Sequence, residues 1–289
     1  MCKFCEKHGA AGKWYLNSKN YLKETYEEAN SLEYLEDLWG NLERLYTRKV
    51  YKLFNARGVS RHHKTPILGK LFRWYANRGF LKDGRKKKLN MDATQGHFGQ
   101  VITLEEAKEI LTQTAPVVAK AMCPCKYFTR GVKEASCLGF TPLAEVLPKL
   151  PRFIPENGIE ILDDEKAEAF LDQMSEKGRI NTIWCGPVPA VAALCSCDVS
   201  SCGALGLLRF GINPCWKGHY VAVEDLDLCV QCGNCSDRCQ FNALSYIPGI
   251  GPKINPELCY GCGNCAQVCE EHAIQLGDRE SLAQTQGDY

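Results

Sequence analysis

Apolar residues recur at intervals of three and four along residues 20–50. This spacing is typical of a single helix face that packs against a core, and Gly40 is expected to break or kink the helix. The N-terminal part of the chain is therefore predicted to be helical. The apolar positions on this face are Leu22, Tyr26, Ala29, Leu32, Leu35, Leu38, Leu42 and Leu45.

A second helix signal opens the middle of the chain at Thr103. Glu106 follows three residues later and completes the capping-box pattern in front of an apolar run. Pro116 is expected to end this helix and to start another one that leads to Cys123. These signals predict two consecutive helices.

Helix and strand signals then alternate. Residues 158–162 are predicted to form a short strand, and Asp163 or Asp164 is predicted to cap a helix that ends at Gly178. Residues 179–184 alternate in polarity like a strand and lead to Cys185. The predicted class is α+β, with a helical, basic region at 1–99, a mixed α/β cysteine-rich domain at 100–222, a small lobe at 223–276 and a tail at 277–289.

Composition identifies a globular chain. It has 289 residues, of which 45% are hydrophobic and 24% charged, and its formal net charge is +1. Eighteen cysteines could indicate a secreted disulfide scaffold, but such scaffolds are usually far shorter, so the cysteines indicate metal ligation in a reducing compartment. The N-terminus has no apolar signal region, and the apolar run at 183–195 contains two prolines and is too short to span a membrane. We therefore expect a soluble, cytoplasmic protein of an anaerobic cell.

Charge is unevenly distributed near the N-terminus. Residues 48–88 contain fourteen Lys and Arg and one acid, Asp83, with aromatic residues interleaved. This segment could dock an acidic redox partner, bind a nucleic acid strand, or contact an anionic membrane. It could also be a solvated basic face balanced by the acidic helix before it. The segment carries no nucleic-acid fold signature, which disfavours that alternative.

The chain begins with Cys2, Cys5 and His8 at spacings suited to a metal ion. A fourth ligand is not apparent nearby, so a frayed terminus with two free thiols is the alternative. A c-type haem site is excluded because no histidine directly follows the second cysteine.

A repeated cysteine motif lies near the C-terminus. The pattern C-x2-C-x2-C-x3-C occurs twice, 30 residues apart, and predicts two [4Fe–4S] clusters. A paired C-x2-C can also bind zinc, but zinc sites do not require this four-cysteine spacing twice. The eight cysteines are Cys229, Cys232, Cys235 and Cys239 in the first copy, and Cys259, Cys262, Cys265 and Cys269 in the second.

Residues 223–276 resemble the two-cluster ferredoxins of bacteria in this repeated motif. The resemblance implies that the fourth cysteine of each copy ligates the other cluster. One cluster would then take Cys229, Cys232, Cys235 and Cys269, and the other Cys259, Cys262, Cys265 and Cys239. The family usually has proline after each fourth cysteine, whereas this chain has Gln240 and Glu270. The cluster potentials are therefore expected to differ from those of the small ferredoxins.

Eight further cysteines lie in the central region. They suffice for two more cubanes, or for one cubane with spare thiols, and the alternative is buried free cysteine. Two separate C-x-C pairs favour metal ligation. The eight are Cys123, Cys125, Cys137, Cys185, Cys195, Cys197, Cys202 and Cys215.

Residues 100–276 also resemble a group of uncharacterised iron–sulfur proteins of anaerobic bacteria and archaea. The shared order is a Glu-rich helix, a Cys-Pro-Cys segment, a third cysteine before glycine, and the two-cluster end. The group commonly has Arg after Cys-x-Cys, where this chain has Lys126. This resemblance implies a further iron–sulfur site in the central region, and the cysteine count allows one or two clusters there.

Other cofactor motifs do not occur in the sequence: it has no dinucleotide or phosphate-binding glycine loop. Residues 96–99 are interpreted as a linker or an interface turn. His97 and His219 could be ligands or proton donors near a central cluster, and the alternative for each is a packed or surface residue. The leading hypothesis is an electron-transfer protein or subunit that serves a partner oxidoreductase. The alternatives are a reductase whose active site is a central iron–sulfur centre, and a redox sensor that binds nucleic acid through residues 48–88.

Overall fold

The computed structural model describes residues 13–21, 99–114, 117–140, 158–185, 191–208 and 215–282, with isolated positions at 67, 69–71, 74, 144 and 211. The predicted helix at 20–50 and the basic segment at 48–88 lie almost entirely outside the described residues. So do Cys2, Cys5, His8 and His97.

A six-stranded antiparallel sheet forms the centre of the described structure. Its spatial order is β1-β5-β6-β3-β2-β4, so each hydrogen-bonded neighbour runs in the opposite direction. The strands are β1 (Gly99–Ile102), β2 (Val118–Met122), β3 (Ala135–Phe140), β4 (Ile159–Leu162), β5 (Ile180–Cys185) and β6 (Val191–Cys197).

Two amphipathic helices cover one face of this sheet. Helix α1 (Leu104–Thr114) begins at the predicted capping box, which is confirmed: the Glu106 amide donates to Thr103 Oγ1 over 3.1 Å, and the Thr103 amide donates to Glu106 Oε2 over 3.0 Å. A short helix, α2 (Pro124–Arg130), follows β2, and α3 (Asp164–Glu176) follows β4. The Asp163 side chain accepts from the Lys166 amide, which confirms the predicted cap of α3.

The predicted helix between Pro116 and Cys123 is wrong, since β2 occupies those positions. Strand β2 pairs with β3 on one side and with β4 on the other. The Ala, Lys and Met residues of this segment are compatible with a helix, but pairing on both edges and burial of Val118 favour the strand. The predicted strands at 158–162 and 179–184 are confirmed to within one residue.

The two faces of the sheet carry different types of side chain. Leu138 and Leu194 pack with α1 and α3 in the main hydrophobic core, the helix face. Their neighbours Cys137 and Cys195 point the other way, because side chains alternate along a strand. We call this opposite side the cysteine face.

The N-terminal residues 13–21 join the core on the helix face. Trp14 and Tyr15 are fully buried there, and the Trp14 indole donates to Gln100 Oε1 over 3.0 Å. The Tyr15 hydroxyl donates to Glu106 Oε1 over 2.8 Å. This part of the predicted N-terminal region therefore packs directly on the central sheet.

A small lobe follows the central sheet and contains two antiparallel strand pairs. Strand β7 (Tyr220–Glu224) pairs with β10 (Ile274–Asp278), and β8 (Leu244–Ile247) pairs with β9 (Gly251–Ile254). A short helix α4 (Leu205–Leu208) precedes the lobe, and α5 (Asn264–Gln267) lies within it. Strand β7 crosses the predicted domain boundary at 222/223.

Candidate iron–sulfur sites

A cavity in the lobe, called the first cavity below, is lined by cysteines from both copies of the repeated motif. Cys229, Cys232 and Cys235 of the first copy line it together with Cys269 of the second. We call these four residues the first set. The structure therefore places Cys269 beside the three leading cysteines of the other copy, as the ferredoxin resemblance implies.

The second set consists of Cys259, Cys262, Cys265 and Cys239. Cys265 interacts electrostatically with the other three, so Cys239 of the first copy lies beside the second motif. Burial, followed by the charges of Cys259 and Cys239, raises the pKa of the Cys262 thiol to about 12. Binding a metal at such a thiol has to release a proton, which couples metal loading to pH.

Backbone amides point at these sulfurs in a repeated pattern. The Ala243 amide donates to Cys239 Sγ over 3.3 Å, and the Ala273 amide, 30 residues later, donates to Cys269 Sγ over 3.2 Å. Cys259 Sγ accepts two amide bonds, each 3.4 Å long. Amide donors stabilise thiolate charge and tune cluster potentials, so the residues present fit an iron–sulfur cluster in each set.

Backbone conformation in the motif loops follows the same repeat. Gln231 has a φ of 61° and Gly261, its equivalent in the second copy, has a φ of 71°. A Cβ at Gly261 would collide with the carbonyl oxygen of Tyr220, so glycine is required there. The left-handed residue turns the chain between consecutive cysteines.

Gln240 stands where the resembled ferredoxins have proline, and the structure gives it a role. Its side-chain amide donates to the Gly178 carbonyl over 2.7 Å and accepts from the Val199 amide over 2.8 Å. Asn264 and Arg238 also bond carbonyls at the end of α3. These contacts hold the lobe against the central domain, a role that the sequence reasoning missed although the absent proline marked the position.

Seven of the eight central cysteines gather on the cysteine face or at its rim. Cys137 and Cys195 lie opposite each other on β3 and β6, with their sulfurs 3.4 Å apart. Cys123 is the N-cap residue of α2 and hydrogen-bonds to the thiols of Cys125, Cys137 and Cys197. Cys202 hydrogen-bonds to Cys197, and Cys215 interacts with Cys202 and Cys195. Cys185 ends β5, and its side chain lies outside the description.

Hydrogen bonds among these thiols shift their pKa values in opposite directions. Donation from Cys125, Cys137 and Cys197 holds the pKa of Cys123 well below its ordinary value despite burial. The hydrogen bond to Cys123 raises the pKa of Cys137 well above that value. Cys123 is therefore the more acidic thiol of the Cys123–Cys137 pair.

Four charged side chains flank the central cysteines. Lys126, almost fully buried, lies 2.6 Å from Glu134 Oε2 and 3.8 Å from Asp198 Oδ2. Arg179 pairs with the same two carboxylates. Burial raises the pKa of Glu134, but the hydrogen bond and charge of Lys126, together with Arg179, outweigh it and hold the pKa below its ordinary value. This stabilisation is present at neutral pH and is lost as the pH falls through that lowered pKa.

Removing the buried charge should destabilise the central domain. We expect Lys126→Met to lower the free energy of unfolding at pH 7, by less than the ~3–5 kcal/mol of a fully buried pair because Glu134 is partly exposed. Lys126→Arg keeps the charge and should retain most of the stability. The measurement is the denaturant midpoint of the purified protein.

Lys120→Met is the matched control, since Lys120 pairs with an exposed carboxylate of Glu160. Its expected cost is at most about 1 kcal/mol. Equal losses in Lys126→Met and Lys120→Met would contradict a structural role for the buried pair.

The second set lies next to the central cysteines. Cys197, Cys202 and Cys215 form a buried cluster with Val101 and Leu205, and Cys262 and Tyr260 of the lobe pack against it. The Tyr260 ring stacks on Phe241 at a centroid distance of 4.3 Å within this contact. The three groups of cysteines therefore follow one another, with the second set in the middle.

Of the remaining candidate ligands, His219 is the one whose side chain the structure describes. His219 packs against Tyr15 with ring centroids 5.9 Å apart. Among the side chains that the structure describes, no group of three or more His, Cys, Asp or Glu residues is arranged around a single metal ion. Within the same residues, no helix combines the length and apolar character that crossing a membrane requires.

Comparison with known proteins identifies the lobe. A search of curated proteins found no match to the chain. Residues 222–245 and 252–275 each match the model of the 4Fe-4S binding domain. These two segments contain all eight cysteines of the repeated motif. Residues 222–275 are thus a ferredoxin-type domain with two 4Fe–4S binding repeats, which gives the chain the capacity for iron–sulfur electron transfer.

Proposed function

We propose that the chain is an electron-transfer protein or subunit with iron–sulfur sites in both the lobe and the central domain. The first set would hold one [4Fe–4S] cluster and the second set another. The central cysteines would hold one or two more, with ligands drawn from Cys123, Cys125, Cys137, Cys185, Cys195, Cys197, Cys202 and Cys215. A bound cluster supplies reversible one-electron transfer at a potential that its surroundings tune.

The observation that carries this proposal is the packing of the second set on the central cysteines. Cys262 and Tyr260 contact the buried group that contains Cys202 and Cys215. An isolated ferredoxin lobe would not need seven further cysteines on the face against which it packs. The second set lies between the central cysteines and the first set, and this order supports relay of electrons between an internal site and the surface of the lobe.

The ligands of a cubane are arranged differently from the ligands of a single metal ion. Each of the four thiolates of a cubane binds a different iron, so the sulfurs stand farther apart than the ligands of one ion. The first set fits this requirement because its cysteines surround a cavity. In the central group, Cys137 Sγ and Cys195 Sγ are only 3.4 Å apart, so a cubane there would take at most one of these two as a ligand. The other described cysteines of the group still exceed the remaining three ligands that one cubane needs.

Iron and sulfide counting on anaerobically purified protein, with EPR of the reduced form, tests the proposal. About eight irons per chain would restrict clusters to the lobe, whereas about twelve or sixteen would establish the central sites. We expect at least about twelve. A protein with zinc in place of iron and sulfide would overturn the proposal.

A reductase with its active site at the central cysteines is the second candidate. It is favoured by the charged cluster beside Cys125, in which Lys126 pairs with Glu134 and Asp198, because titratable groups with shifted pKa values are concentrated at functional sites. Carbon monoxide and cyanide bind open iron positions. A change in the EPR spectrum of the central site on adding either would favour the enzyme, and an unchanged spectrum would favour the relay.

A further inference from the structure

Exposed apolar side chains surround the first set. Val230 lines the cavity with the cysteines and is 63% exposed, and Ile250 is 54% exposed. Leu226 and Cys229 both lie close to Gly251, which follows Ile250. The Tyr246 hydroxyl donates to the Gln231 carbonyl over 2.7 Å, which brings β8 beside the same loop. We define the outer patch as Leu226, Leu228, Val230, Ile247 and Ile250.

The internal repeat of the lobe shows what such a surface does in this protein. Tyr260 occupies the position of Val230 in the second copy, 30 residues later. Tyr260 is partly buried by its packing on the central cysteines, whereas Val230 is left open. The repeat counterpart of Val230 is thus already covered by protein, whereas Val230 and the other outer-patch side chains are exposed, as at an interaction site.

The charge around the outer patch is acidic. Residues 222–282 contain nine Asp and Glu against three Lys and Arg, a net charge of −6. Arg238 donates to the Glu176 carbonyl and Arg279 is fully buried, so Lys253 is the exposed cation of this segment. Asp225 and Asp227 are exposed beside Leu226, and Glu270 and Glu271 line the cavity.

We propose that the outer patch docks a redox partner protein whose contact surface is apolar at its centre and ringed by Lys and Arg. The inference rests on the proposed function, because it takes the first set to be a redox site. One electron passes per encounter, so the partner gains the electron that the lobe loses, or the reverse. Complementary charge would speed the encounter and make it sensitive to salt. The outer patch contains none of residues 48–88, for which docking of a redox partner is also predicted.

Cytochrome c, a basic haem protein that accepts one electron, is the probe. Calorimetry would give its dissociation constant with the oxidised full-length protein at low salt. Stopped-flow absorbance would give the rate at which the reduced protein reduces it. We expect Asp225→Lys with Asp227→Lys to weaken binding and slow the reaction by at least about tenfold, and to flatten the salt dependence.

The lobe offers matched controls for both charge and apolar surface. Asp278→Lys with Glu280→Lys makes the same charge change at the far end of β10, about 13 Å along the strand. In binding measured at about 0.1 M salt, this pair should alter the dissociation constant less than about twofold, because charges more than about 10 Å apart are then largely screened. Leu228→Ser should weaken binding, whereas Leu258→Ser, its equivalent in the second copy, should not. The two leucines are 46% and 47% exposed, so the pair differs in location rather than in burial.

Equal effects of both charge pairs, or no effect of either, would overturn the docking proposal. If the wild type instead self-associates and Asp225→Lys with Asp227→Lys abolishes this, the patch binds a second copy of the chain and the proposed partner is wrong. Iron and sulfide content is measured first on every variant. Absence of iron from the wild-type lobe would refute the proposed function, whereas intact iron with neutral docking variants would refute the docking surface alone.

Discussion

Serine substitution of the first set, at Cys229, Cys232, Cys235 and Cys269, should remove about four irons per chain. Substitution of the first motif as it stands in the sequence, at Cys229, Cys232, Cys235 and Cys239, should remove about eight. The two variants have the same number of changes and differ only in the fourth cysteine. The difference follows because Cys269 lines the first cavity, while Cys239 interacts with the second set.

Iron and sulfide per chain, with EPR of the reduced lobe, measure this effect. The first variant should keep the signal of one [4Fe–4S] cluster in the lobe, and the second variant should keep none there. The reverse result would mean that each motif binds its own cluster. Far-ultraviolet circular dichroism of both variants controls for folding. Of the five motif cysteines that pack in the core of the lobe, only Cys235 changes in both variants, and Cys259 and Cys265 change in neither.

Local signals made several elements predictable. The capping box at Thr103 and the cap at Asp163 are contacts between residues three apart in sequence, so the pattern contains all the information that they need. The repeated cysteine spacing is equally local within each motif. The pairing across motifs came from resemblance to ferredoxins rather than from spacing.

Non-local packing was not predictable in the same way. Residues 118–122 have no intrinsic preference strong enough to specify a strand, and their pairing with β3 and β4 is decided by the assembled sheet. The order of the strands in the sheet likewise determines that Cys123, Cys137 and Cys202 lie close together. The sequence supported a central metal site by counting cysteines, but it could not say that they share one face of one sheet.

The contact between lobe and central domain depends on residues that no motif marks. Gln240 and Asn264 both donate to the Gly178 carbonyl, more than 60 residues away along the chain. Polar residues of this kind are ordinary surface residues until the partner surface is known. The missing proline at Gln240 was visible, but its consequence was interpreted as a change in cluster potential rather than as a domain contact.

Cys123→Ser should remove the central iron and leave the lobe intact. Cys123 is buried, and its thiol is hydrogen-bonded to three other central cysteines, so it is the position whose loss disrupts most of the site. We expect a loss of about four irons per chain if the central site holds one cluster, with the roughly eight irons of the lobe retained. A further spectroscopic sign is loss of any magnetic interaction between the central site and the second set.

Ser196→Ala is the matched control for this substitution. Ser196 lies between Cys195 and Cys197 on β6, but its hydroxyl points to the helix face and donates to Asn181 Oδ1 over 2.7 Å. Its loss should cost about 1 kcal/mol of stability without changing the iron content.

Iron, sulfide and EPR measurements on the two variants then decide the role of the central cysteines. If Cys123→Ser keeps the full wild-type iron content, Cys123 is not a ligand, and a wild-type content of only about eight irons would then mean that the central thiols are buried packing residues. If it loses central iron while Ser196→Ala does not, the loss comes from sulfur chemistry on the cysteine face rather than from damage to the strand. The second set would then have a redox neighbour on the side away from the outer patch, as relay through the lobe requires.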